Sequence, residues 1–194
     1  MSIQGIVPLL KFLEEHKEWG REEFLQRYSY PFFLYPGDQE KGAPKIAFPQ
    51  MIEDSPIPKR NKLKTMRMVV SDLEDTLPPS FRRVIIEKAL VIPLPFRQSE
   101  KGVVLLEIGR DTSMDLYFDD EQVSAHHATI IGEGDPLVYK IIDQGSTNET
   151  YVDGTALPPG KITELQDGCT LEFGLHRLFV FYYPETLYKC LNMI

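Results

Sequence analysis

Between Val103 and Tyr183 short apolar runs alternate with turn residues, and that rhythm constrains the fold more than any other feature of the chain. The runs are Val103–Ile108, Leu116–Phe118, Ala128–Ile131, Val138–Ile142, Thr150–Val152, Thr170–Phe173 and Leu178–Tyr183. Turn signals such as Gly132-Glu-Gly134-Asp135-Pro136 and Asp167-Gly168 separate them. Runs of this length, bounded by Gly, Pro, Asn and Asp, read as strands. Many short strands so spaced predict an all-β sandwich, because each sheet must bury its apolar face against another layer. The polar residues of chemical interest gather at the turns, as Gly109-Arg110, Ser124-x-x-His127 and Asp143-Gln-Gly-Ser-Thr-Asn148. Loops on a rigid sheet are a common seat of binding residues.

Those residue types suit a phosphate carried on a peptide. The Arg110 guanidinium is a planar fork of donors that matches phosphate oxygens, and the hydroxyls of Ser124 and Thr147 can add neutral donors. Asn148 can both donate to and accept from a neighbouring peptide backbone. Such a set forms if the fold brings the three loops together.

The same residues resemble the forkhead-associated (FHA) domain, a phosphothreonine-binding module, in what reads as its bacterial form. The matching positions are Gly109-Arg110, Ser124-x-x-His127 and Ser146-Thr147-Asn148, followed by Thr150-Tyr151-Val152-Asp153-Gly154. The resemblance covers roughly Leu90 to Tyr183. It implies that Arg110 contacts the phosphate, that Ser124 hydrogen-bonds it, that Thr147 lines the phosphothreonine site and that Asn148 holds the peptide backbone. Gly109 and His127 match positions that shape the loops. Two positions depart from the pattern: Ala125 stands where the family carries a polar or basic residue, and Glu149 where it carries glycine. If position 149 has positive φ, a glutamate there costs about 1 kcal/mol.

Ser124, His127 and Asp143 are the residue types of a hydrolase triad, but residues three apart on a strand face opposite ways, and no Gly-x-Ser-x-Gly elbow is present. His126-His127 has no carboxylate or cysteine at ligand spacing, so no metal is predicted. Arg110 also has an ordinary reading, as a surface ion-pair partner of Asp111 or Asp115.

Ahead of the sandwich, Ile6 to Tyr28 shows helical periodicity, and Gly20 divides it into two predicted helices. Tyr30-Pro-Phe-Phe-Leu-Tyr-Pro36 suits a short strand or an extended packing segment. Gly37 to Pro58 reads as loop. Lys59 to Arg67 is basic, and Met66–Val70 and Phe81–Leu94 look strand-like. Pro184 to Leu191 reads as a closing helix with proline at its start. The predicted organisation is therefore an α/β or mainly helical extension (1–88), an FHA-like sandwich (89–183) and a C-terminal helix (184–194).

Charge is divided unevenly: residues 1–100 carry 15 basic and 14 acidic side chains, residues 101–194 carry 6 and 15. An acidic C-terminal half argues against a nucleic-acid partner, which needs a basic face. Two cysteines give no disulfide framework. No apolar run reaches membrane-spanning length and no leader pattern opens the chain, so the predicted setting is the cytoplasm, without a membrane partner. The sequence thus predicts a non-catalytic module without cofactor that binds a phosphothreonine protein or peptide, such as a Ser/Thr kinase or its substrate. The alternative is a phospho-independent scaffold with a degenerate phosphate site. Thr76, in an acidic and proline-rich turn, is a candidate internal ligand.

Overall fold

The computed structural model describes residues 6–35, 46–47, 89–99, 102–174 and 178–191. The loop, basic run and strand expected within 37–88, with Thr76, fall outside these residues except Ile46–Ala47. Two β-sheets face one another. Strands β1 (Val7–Pro8), β2 (Phe32–Tyr35) and β3 (Ile46–Ala47) come from the N-terminal part; β4 (Leu90–Pro93) and β5 (Arg97–Gln98) follow. Next come β6 (Val104–Gly109), β7 (Leu116–Phe118), β8 (Ala128–Glu133), β9 (Val138–Asp143) and β10 (Thr150–Val152). The last strands are β11 (Thr155–Ala156), β12 (Ile162–Glu164), β13 (Thr170–Phe173) and β14 (Leu178–Tyr182). The first sheet runs β1-β4-β2-β14-β13-β10-β11 and the second β12-β9-β8-β6-β7-β3, with β5 beside β6. Pairing is antiparallel except between β6 and β7.

Alternation along the strands builds the sandwich core. Val104, Leu106 and Ile108 of β6, with Tyr139 and Ile141 of β9, turn inward, and Phe173, Phe179 and Phe181 meet them from the other sheet. The first sheet is also covered on its outer face. Helices α1 (Leu9–His16), α2 (Arg21–Arg27) and α3 (Pro184–Leu191) lie there, with Gly20 at the N-cap of α2. Leu9, Phe12, Phe24, Tyr28, Leu187 and Cys190 pack with Phe32, Leu34, Val91, Val180 and Tyr182 into a second core.

Double coverage explains the aromatic run in β2. Phe33 and Tyr35 belong to the sandwich core and Phe32 and Leu34 to the helical one, so all four are buried. A strand buried on both faces reads as a continuous apolar run, without the two-residue alternation of a half-exposed strand. Strands from both sides of position 88 therefore share one sheet: β2 pairs with β14 and with β4, Phe33 opposite Phe181 and Ile92. Arg21 of α2 and Glu185 of α3 add a bidentate pair, at 3.0 and 2.8 Å. Among the described residues no helix is long and apolar enough to cross a membrane.

Candidate phosphate-binding site

Strand register brings the three polar turns to one end of the second sheet. Ile108 pairs with Ala128, and Ala128 with Asp143, so the end of β6, the start of β8 and the end of β9 form one row. Arg110 lies two residues beyond that row, His127 one residue before it, and Asp143 opens the turn that carries Thr147 and Asn148. That turn then crosses to the first sheet, where Thr150 of β10 pairs with Phe173.

Three consecutive residues, Gln122, Val123 and Ser124, hold the candidate binding residues Asn148, Arg110 and Thr147. Asn148 Nδ2 donates to the main-chain oxygen of Gln122 at 2.9 Å and to its side-chain Oε1 at 3.1 Å. Arg110 Nε donates to the Val123 main-chain oxygen at 3.1 Å. The Thr147 N–H donates to Ser124 Oγ at 3.0 Å, and the two hydroxyl oxygens stand 3.5 Å apart. The segment is itself paired to the extension of β6, since the Arg110 N–H donates to the Ser124 oxygen at 2.8 Å and the Asp111 N–H to the Ala125 oxygen at 3.0 Å. Gly109 is demanded by this close approach, because a Cβ there would lie 2.1 Å from the Ala125 oxygen.

His127 is buried beneath the site. It lies in a loop and not on a strand, so the opposite-face argument does not apply to it and Ser124. The ring meets the Ser124 main chain instead: the Ser124 N–H donates to Nδ1 at 3.1 Å, and Nε2 faces the Glu149 oxygen at 3.1 Å. An N–H on one nitrogen and a carbonyl on the other fix the neutral tautomer with its proton on Nε2. Burial lowers the His127 pKa against the smaller raising effects of the Glu149 carbonyl and Asp143, which favours that neutral ring. Both nitrogens are thus committed to main-chain groups, and neither is available as a catalytic base or metal ligand.

Asp143 organises the turn. Its carboxylate accepts from the N–H groups of Gly145 (2.9 Å) and Ser146 (3.1 Å) and from the hydroxyls of Ser146 (2.5 Å) and Thr150 (2.7 Å). Burial pushes its pKa up, but these donors outweigh it and the net shift is down. Glu149 closes the turn with φ of 58°, so the condition under which a glutamate there is strained is met. Its carboxylate accepts the Tyr151 hydroxyl at 2.6 Å.

Arg110 is exposed and has no carboxylate partner among the described residues. Asp111 caps its own turn, accepting the Ser113 N–H at 2.8 Å, and Asp115 is held by Arg97 Nε at 2.6 Å. The ordinary ion-pair reading of Arg110 is therefore corrected. His126 points away from His127, toward Thr129 Oγ1 at 3.1 Å. Gln122, Val123 and Gly174 were missed in the sequence. Only Gly174 carried a signal there, as a glycine directly after an apolar run; it follows β13 at φ of 68°, and a Cβ on it would fall 2.4 Å from the Gln122 oxygen.

Comparison with known proteins gives the same stretch. Residues 106–174 match the model of the family described as FHA domain. A curated relative, the oxoglutarate dehydrogenase inhibitor of Corynebacterium jeikeium, is 36% identical over 70 residues, 36% of this chain and 45% of the relative. The chain thus spans less than half the length of that protein. Among solved structures, the MEK1 FHA domain in complex with a HOP1 phosphothreonine peptide aligns with a TM-score of 0.40 and 22% identity, over 47% of this chain and 86% of that one. The FHA domain of a Chlamydia trachomatis protein aligns with a TM-score of 0.38 and 26% identity, over 45% and 81%.

Proposed function

We propose that this chain, which carries an FHA domain over residues 106–174, is a non-catalytic signalling module that docks a phosphothreonine in a partner protein, such as a Ser/Thr kinase or its substrate. The observation that carries the reading is the joint presentation of Arg110, Ser124 and Thr147 by one segment, with Arg110 unpaired to any carboxylate among the described residues. The guanidinium offers Nη donors beyond the Nε held by Val123, and two adjacent hydroxyls offer protons to a second phosphate oxygen. Asn148 is then the residue that grips the peptide backbone. The acidic surroundings, Asp111, Asp119, Asp120 and Glu121, favour ligands with basic flanks.

Calorimetry with a phosphothreonine peptide and its unphosphorylated twin tests this. Arg110→Ala should weaken phosphopeptide binding by about 2–5 kcal/mol, and Ser124→Ala by about 1 kcal/mol. Unchanged affinity in Arg110→Ala overturns the reading. A phospho-independent scaffold is the second reading, favoured by Ala125 and by Glu149, whose negative charge follows Asn148 in the chain. Equal binding of both peptides would select it.

A further inference from the structure

The side-chain amide of Asn148 donates twice to one residue, and the two acceptors differ in kind. The main-chain oxygen of Gln122 is fixed. It sits against Gly174, its own N–H donates to Asp120 Oδ1 at 3.0 Å, and the next N–H, of Val123, donates to the Asp120 oxygen at 3.0 Å. The Oε1 ends an exposed side chain with rotatable bonds. Chemically it is an amide carbonyl, the same acceptor that a peptide backbone presents.

We propose that Gln122 is an internal competitor for the peptide site: in the free protein its Oε1 takes the Asn148 N–H that a bound peptide carbonyl would take, and ligand binding displaces it. The inference rests on the phosphothreonine reading above. The sign of its effect follows from the difference between the two acceptors. Removing the side chain leaves the fixed main-chain oxygen, at 2.9 Å, to hold Asn148 in place. It releases only the second N–H. A residue that merely propped the loop would weaken binding when cut back, whereas a competitor strengthens it. An exposed neutral hydrogen bond is worth little net, which sets the expected gain at about two- to tenfold in affinity.

The full chain is titrated calorimetrically with a synthetic phosphothreonine peptide flanked by alanine and lysine. Gln122→Ala and Gln122→Met, which keeps the length without the acceptor, should each bind about two- to tenfold more tightly than the wild type. By NMR the Asn148 side-chain amide resonances should differ between wild type and Gln122→Ala in the free proteins and coincide at saturating peptide. If the wild type binds in an Arg110-dependent way and both variants bind equally or more weakly, the competitor is refuted while the phosphothreonine reading stands. Failure of the wild type and both variants to bind the phosphopeptide refutes the reading itself, and the competitor with it.

Discussion

His127 Nε2 lies 3.1 Å from the main-chain oxygen of Glu149, so one buried ring ties the loop before β8 to the loop before β10. Its other nitrogen accepts the Ser124 N–H, and protonation would destroy that acceptor. Burial lowers the folded pKa below the ordinary value of 6.5, so the unfolded chain binds the proton first as pH falls. The stability contributed by this residue is complete above that value and declines below it, toward the depressed folded pKa. Urea midpoints measured from about pH 8 to about pH 5 should therefore fall further in the wild type than in His127→Asn. Parallel curves would contradict this.

Gly109→Ala should destabilise the protein by about 1–3 kcal/mol or more, because the new Cβ meets main chain and not a flexible side chain. It would lie 2.1 Å from the Ala125 oxygen and 2.8 Å from the Ala125 carbonyl carbon. Ala125→Gly should give no rescue, since the obstructing oxygen remains. Thermal unfolding of the single and double variants reads both statements.

Glu149→Gly relieves a left-handed residue at φ of 58°. The relief of about 1 kcal/mol is set against loss of the exposed Tyr151 contact, which leaves a net stabilisation of about 0.5 kcal/mol. The same change removes the negative charge that follows Asn148 in the chain and should improve phosphopeptide affinity about twofold at low salt. Added salt should shrink the gain in affinity and leave the gain in stability. A variant less stable than the wild type would show that the Tyr151 contact outweighs the strain.

Residues 89–191 expressed without the N-terminal part should aggregate. Losing the N-terminal part leaves β4 without a strand partner and β14 paired only with β13. It also takes α1 and α2 from the outer face of the first sheet along with Phe32 and Leu34, whose burial contributes about 1.5–3 kcal/mol each. Size-exclusion chromatography and urea denaturation of the fragment give the test, and a soluble monomer of wild-type stability would contradict it.

The sequence was most legible where local chemistry decides. Thr150–Val152 and Thr170–Phe173 lie in strands with the expected bounds, and the helical stretch divides at Gly20. Strands of two residues such as β5 and β11 are too short to show a period, and they exist only because a neighbour pairs with them. β2 was recognisable as extended, but its place between β14 and β4 depends on partners far along the chain. At the candidate site the side chains announced themselves by type. What positions Arg110 and Asn148 is largely main-chain oxygen, of Val123 and Gln122, and a carbonyl has no letter in the sequence.

That arrangement bears on how such a site can change over generations. Gln122, Val123 and Ser124 meet Asn148, Arg110 and Thr147 one after another, so the segment works as a reading frame for the fold. At Gln122 the partner held in place is a backbone oxygen and the side chain is exposed, so many side chains satisfy the frame; at Val123 the oxygen is equally indifferent to sequence, but the side chain is buried in the sandwich core. Losing or gaining one residue shifts every contact in step and hands each partner to the wrong neighbour. Lineages of this protein should accordingly vary in spelling at the exposed positions Gln122 and Ala125 far more readily than the segment from Gln122 to His127 varies in length.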